Sequence, residues 1–340
     1  MRTLIFTLAL ALMPGVVHAD ARNEPVLVQV GDATLAGTLT LPPTTPRAAF
    51  VLIQGAGPHT RDAVISGAPL FTELADSLAA RGVATLRVDN SGVGESTGEV
   101  VAHFRQRVPQ YAAAFDFLAA REDLDGVPVG LMGHSEGAMV AAEIWRERSE
   151  AVALVALTGA PVRPGRVVWV DQQSNPARFP EHDAEGQRLI REGFEAVADA
   201  SIAGDLPRLE AATDSLFAVI GVPDAQIAEI RAGFVDRMGS AEMQVFLAHD
   251  PAPAYAAISA PVLSIWGGLD DLTSAPINAP AFLGTLRPDS DVTIRILPLE
   301  DHFFLRGEGL PPGEHQFGKM SLSPRLVDVI VAWVDDLADR

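Results

Sequence analysis

The sequence predicts an α/β fold: a mostly parallel sheet covered by helices on both faces, with an inserted helical cap. Three observations carry that reading. Short strand-like runs alternate with helix-length amphipathic segments, the runs are apolar almost throughout, and the rhythm stops once, between about residues 163 and 259. Strands buried on both faces read as continuous apolar runs, and alternating strands and helices build βαβ units with parallel strands.

Residues 1–19 begin Met1-Arg2, run through an apolar stretch from Leu4 to Met13, and reach Pro14-Gly15 and Val17-His18-Ala19. A short basic end, an apolar stretch and small residues spaced by two read as a secretory signal peptide, with cleavage after Ala19 or after Ala21. The stretch is too short to cross roughly 30 Å of hydrocarbon at about 1.5 Å per residue. The expectation is an exported protein, periplasmic or extracellular, with no stable membrane insertion.

Residues 26–30 and 34–41 flank Gly31-Asp32 and read as a hairpin. Residues 48–53 form the first strand buried on both sides. A helix over residues 71–81 carries Leu74 and Leu78 on one face and stops at Gly82, a C-cap. Residues 83–88 give the next strand, 111–121 the next helix and 127–132 the strand that follows. Residues 152–157, 262–266 and 292–297 complete the strands. A closing helix runs from Ser323 as N-cap and Pro324 in the first turn to about Ala338, with Leu326, Ile330 and Val334 on its apolar face. Between residues 163 and 259 lie helical patterns at 185–198, 206–219 and 225–238 and no convincing strand. That stretch reads as a cap over the carboxyl edge of the sheet, leaving 20–162 and 260–340 as the core.

Composition works by exclusion. Among 340 residues, 25 Lys and Arg against 44 Asp and Glu leave a net charge of −19. A field of that sign repels polyanions, so nucleic acid is not an expected partner. The chain has no Cys, which removes a thiolate nucleophile, thiolate zinc ligands and iron–sulfur clusters. A hydrophobic fraction of 48% with 20% charged residues is that of a globular protein, not a disordered one. Nothing in the composition marks an oligomeric state.

Gly133-His134-Ser135-Glu136-Gly137 is a G-x-S-x-G pattern between the strand at 127–132 and a small-residue helix from Ala138. A sharp strand-to-helix turn needs small residues on both sides and holds the serine in a strained conformation. The turn also sets the hydroxyl at a helix N-terminus, where free N–H groups favour a developing anion. His134, next to it in the turn, is expected to point away from Ser135. Serine needs a base, and the base an orienting acid. His302 lies in the loop after the strand at 292–297, where α/β sheets collect reactive groups. Gly267-Gly268-Leu269-Asp270-Asp271 follows the preceding strand and offers two adjacent acids. The glycines of the segment 89–98 have spacing that could mislead toward a nucleotide loop. No Lys-Ser or Lys-Thr follows them, since the one lysine is Lys319, and the segment reads as a structural turn.

These motifs, together with Gln54-Gly55-Ala56-Gly57-Pro58, Arg61-Asp62 and Asp89-Asn90-Ser91-Gly92, resemble the α/β-hydrolases. More narrowly the chain resembles exported bacterial carboxylesterases and serine aminopeptidase-like hydrolases. The chain order Ser135, Asp270, His302 is that superfamily's order. The resemblance selects Asp270, three residues after Gly267, over Asp271. It implies an oxyanion hole made of backbone N–H groups from Glu136 and from the loop 54–58, at Ala56, with Gly55 and Gly57 as alternatives. Gln54 departs from the His or Ser common there. The reaction implied is hydrolysis of small-molecule carboxylic esters of small to medium acyl groups through an acyl-enzyme on Ser135, with no metal or organic cofactor. An aminopeptidase-like amide hydrolase and a non-catalytic binding protein are the competing readings. Phe303-Phe304, Phe217 and Phe246 could line an apolar acyl site or belong to the core.

Overall fold

The computed structural model describes residues 21–338 apart from 102, 160, 161 and 308. The signal peptide expected over residues 1–19 lies outside the described residues. A hairpin opens the fold, with β1 at Arg22–Val30 and β2 at Ala33–Leu41, and Gly31 at φ 55° takes the first position of its two-residue turn. β3 (Ala48–Ile53), a small ribbon of β4 (Val64–Ile65) and β5 (Ala68–Pro69), α1 (Leu70–Ala79) and β6 (Val83–Val88) follow. Then come α2 (Phe104–Ala119), β7 (Val129–His134), α3 (Glu136–Glu147) and β8 (Leu154–Leu157).

Helices fill the next stretch: α4 (Gly165–Gln173), α5 (Ala184–Ala203), α6 (Leu206–Val219), α7 (Asp224–Met238), α8 (Ala241–Ala248) and α9 (Ala252–Ala257). The chain returns through β9 (Val262–Gly267), α10 (Ala275–Thr285) and β10 (Val292–Leu297). A second ribbon, β11 (Leu305–Gly307) with β12 (Met320–Leu322), precedes α11 (Pro324–Ala338).

The main sheet has eight strands in the order β1-β2-β6-β3-β7-β8-β9-β10. The strands from β6 to β10 pair in parallel, while β2 runs antiparallel to both of its neighbours. Successive residues of β3 serve opposite faces. Ala49, Val51 and Ile53 pack with α2 and α3, and Phe50 and Leu52 pack with α1 and α11. From β3 the chain moves one way across the sheet to β6, and from β7 it moves the other way to β8. The crevice beyond the carboxyl ends of β3 and β7 is therefore the topological switch point, where open α/β sheets bind ligands.

Some elements differ from the sequence reading, α10 among them, which no sequence pattern marked. α2 starts at Phe104 rather than near 111, because Pro109 sits inside it and a proline is ordinarily read as a helix boundary. The helix continues because Phe104, Arg107 and Val108 are buried and because Gln106 accepts the His103 N–H at 3.3 Å. β7 lies two residues later than expected and runs straight into the turn. α11 begins directly after Ser323, as expected, and the Ser323 hydroxyl donates to buried Glu300 at 2.9 Å.

The helices from α4 to α8 gather a hydrophobic cluster of their own, including Trp169, Phe194, Leu216 and Met238. Phe217 belongs to it, with its ring 5.5 Å from Phe234, and Phe246 packs against its side. No described helix is long and apolar enough to cross a membrane.

Candidate active site

Ser135 links β7 to α3 with φ 52° and ψ −125°, a conformation that side chains adopt at a cost of about 1–3 kcal/mol. Two glycines make the turn possible. A Cβ on Gly133 would stand 2.3 Å from the Gly137 carbonyl carbon, and one on Gly137 would stand 2.2 Å from the Ile53 oxygen. The turn thus packs its own backbone against the end of β3, and Ser135 lies at the switch-point crevice.

Ser135 Oγ is 3.0 Å from His302 Nε2, and His302 Nδ1 is 2.9 Å from Asp270 Oδ2. The structure therefore brings together the serine, histidine and acid singled out in the sequence, from the ends of β7, β10 and β9. Of the adjacent acids, Asp270 is the one that reaches His302. Its Oδ1 accepts the N–H groups of Leu272 at 2.9 Å and Thr273 at 2.7 Å. Its Oδ2 also accepts the Thr273 hydroxyl at 2.6 Å. Burial alone would raise the Asp270 pKa, but the bonds from His302 and Thr273 outweigh it and hold the carboxyl below its usual range. Thr273, which no sequence motif flagged, is thus part of the acid's setting.

The loop that carries His302 is held from several sides. Asp301 accepts the Phe303 N–H at 2.9 Å and the Leu305 N–H at 3.2 Å, and pairs with His315. His134 was expected to turn away from Ser135. Its ring instead stays in the site, 5.2 Å from the His302 ring, and donates from Nε2 to the His302 carbonyl at 2.9 Å. Burial first, and then charge on His302, holds His134 down to about 3, against about 6.5 for a free histidine. Between those values the unfolded chain binds a proton that the folded chain refuses. The stability involved is complete above about 6.5 and is lost as pH falls toward about 3. A His134→Asn variant keeps a donor for the carbonyl and is expected to flatten the fall in Tm between about pH 6 and 4. An unchanged slope in scanning calorimetry would exclude His134 as its source.

The loop after β3 faces Ser135 closely: a Cβ on Gly55 would be 3.3 Å from Ser135 Cβ. Gln54, unusual for the motif, is fully engaged. It donates to Thr60 O at 2.7 Å and Val88 O at 3.2 Å, and accepts from the Tyr111 hydroxyl at 2.7 Å. The segment after β6 acts as a brace. Asn90 donates to Gly57 O at 3.3 Å, while Asp89 accepts from Arg61 through both oxygens at 3.0 and 2.6 Å. Arg107 is a second residue that sequence reasoning missed. It is 2% exposed, donates to Gln54 O at 3.1 Å and Gly55 O at 2.5 Å, and pairs with the carboxylate of Glu136. Ala56 O in turn accepts from His59 at 2.6 Å.

A cavity of about 210 Å³ opens at Ser135 and His302. Its wall is largely apolar, with Ile65, Leu70, Phe71, Leu272 and Phe303, and no carboxylate lines it among the described residues. Of the aromatics considered from sequence, Phe303 thus borders the cavity. Phe304, 1% exposed, belongs to the core under the sheet.

The sheet order and the solved structures it resembles give the chain the α/β-hydrolase fold. A family model described as serine aminopeptidase, S33, matches residues 44–180. The chain is 26% identical over 326 residues to Esterase EstD of Thermotoga maritima, covering 95% of this chain and 70% of that protein. Among solved structures, an esterase from Pyrococcus furiosus aligns with a TM-score of 0.53 at 14% identity, over 83% of this chain and 84% of that one. Proline iminopeptidase from Mycobacterium smegmatis gives a TM-score of 0.53 at 17% identity, over 93% of this chain and 99% of that one.

Proposed function

We propose that the chain is a serine hydrolase that cleaves carboxylic esters of small acyl groups through an acyl-enzyme on Ser135. The observation that carries this reading is the continuous hydrogen-bonded chain from Ser135 Oγ through both nitrogens of His302 to a buried Asp270. In that arrangement His302 takes the serine proton as Oγ attacks the acyl carbon. Asp270 keeps the proton on Nδ1, leaving Nε2 free to accept, and stabilises the imidazolium. The alcohol then leaves with the proton from Nε2, and water, deprotonated by the same nitrogen, releases the acid.

The oxyanion falls to the N–H groups of Glu136 and Ala56. Glu136 is the first residue of α3, so its N–H has no partner within the helix. The Ala56 N–H shares a trans peptide with the Gly55 carbonyl, which Arg107 holds. The two dipoles of a trans peptide point in opposite directions, so the N–H is directed away from Arg107. Two such donors typically lower the barrier by several kcal/mol.

The acyl cavity favours an ester over the amide of an aminopeptidase. Holding a free α-amine calls for an anion, and the cavity's described lining has none. Its volume of about 210 Å³ lies below the usual range for drug-sized ligands and suits a short acyl chain. A fluorophosphonate probe is expected to label wild-type protein at Ser135 and to leave Ser135→Ala unlabelled. Equal labelling of both would remove the serine-hydrolase reading.

A further inference from the structure

A second and larger cavity, of about 630 Å³, lies on the other side of Leu272 between the cap and α10. Among the described residues, Leu272 alone lines both cavities, and it is 48% exposed. The two spaces meet at one side chain, beside the acid of the triad.

The larger cavity has polar groups waiting for partners. Asn278 on α10 is 5% exposed, and its Nδ2 donates to Ser274 O at 3.0 Å. That bond orients the amide and leaves Oδ1 buried without a partner. A buried polar atom left unsatisfied is costly and is rare in a native fold. Across the cavity Arg163 spends one nitrogen on Asp171 at 2.8 Å, and its Nε is buried and unpaired. Arg178 makes only a 3.5 Å contact with Gln173 and has no carboxylate partner among the described residues.

The charges here do not select an ion. Arg163 and Arg178 face Asp171, Asp270 and Asp271, so the lining sums to 2 − 3 = −1. Donors such as Arg178 and groups that both give and take, such as Gln172, Asn175 and Ser274, line the same cavity, and a ligand group that both gives and takes hydrogen bonds matches that mixture. Hydroxyl groups do this; carboxylates and ammonium groups do only one.

Resting on Ser135 as nucleophile, we infer that the substrate is a short-chain acyl ester of a polyol or sugar. The acyl group occupies the apolar cavity, and the alcohol crosses Leu272 into the polar one. In the first step Ser135 Oγ bonds the acyl carbon and gives its proton to His302, the bond from that carbon to the sugar oxygen breaks, and the sugar oxygen takes the proton from His302. Water then adds hydroxide to the acyl carbon and its other proton to His302, the acyl–Oγ bond breaks, and His302 returns the proton to Ser135 Oγ.

The test compares purified full-length protein on methyl 6-O-acetylglucoside, hexyl acetate and p-nitrophenyl acetate. The glucoside ester is expected to exceed hexyl acetate in kcat/KM by about tenfold or more, chiefly through KM. Arg178→Ala, on an exposed residue, and Asn278→Leu are each expected to lower the ratio of glucoside to p-nitrophenyl activity by about five- to tenfold, as loss of one or two hydrogen bonds implies. Preference for hexyl acetate, or a ratio unmoved by both variants, overturns the polar subsite while leaving the hydrolase intact. Loss of the parent reading has a different signature: Ser135→Ala would hydrolyse p-nitrophenyl acetate as fast as wild type.

Discussion

Asp270→Asn is expected to lower kcat by about 10⁴ with little change in fold. The direction follows from which oxygen faces which donor. Oδ1 receives two backbone N–H groups, so the carbonyl oxygen of the asparagine takes that place and its NH2 takes the other. His302 Nδ1 then faces a donor and must accept. The remaining proton moves to Nε2, the nitrogen 3.0 Å from Ser135 Oγ, and the base can no longer remove the serine proton. Steady-state kinetics on p-nitrophenyl acetate measures the effect, and a fall of less than about tenfold would mean that Asp270 does not set the tautomer. Asp271→Asn is expected to fall far less.

Arg107→Met is expected to reduce kcat by about 10²–10³, with KM moving much less. One buried guanidinium touches both proposed oxyanion donors at one remove: the Gly55 carbonyl that orients the Ala56 N–H, and the side chain of Glu136. Removing it frees the loop peptide to rotate and strands a buried carboxylate, at about 3–5 kcal/mol in stability. Arg107→Met with Glu136→Gln separates the two effects. The double variant is expected to regain most of the lost Tm and to stay slow. Recovery of kcat along with Tm would reduce Arg107 to a structural role.

The legible parts of the sequence were those with a local physical signature. Ser135 was legible because a strained elbow demands Gly133 and Gly137, and their lack of side chains is written in the sequence. The buried strands were legible because both faces of β3 had to be apolar. Arg107 was not, because Pro109 hid the first turns of α2 and because the carbonyls it holds are more than fifty residues away. Thr273 depends on how a short loop folds after β9, which no periodicity encodes, and there only the resemblance, not the residues themselves, chose Asp270 over Asp271. α10 was missed for a related reason: Pro276 and Pro280 both lie in it, and prolines are usually read as helix stops.

The separate hydrophobic cluster of the cap has a consequence for variation in this chain. Trp169, Phe194, Leu216 and Met238 bury their surfaces against one another rather than against the sheet. Substitutions that repack those helices draw on the cap's own stability and leave the strand ends that hold Ser135, Asp270 and His302 in register. The large polar cavity takes one wall from this module, through Arg163 and Arg178, and the other from the core, through Asn278. Under the proposed function, changes in either wall alone would alter the alcohol accepted without touching the residues that line the smaller cavity, Leu272 apart.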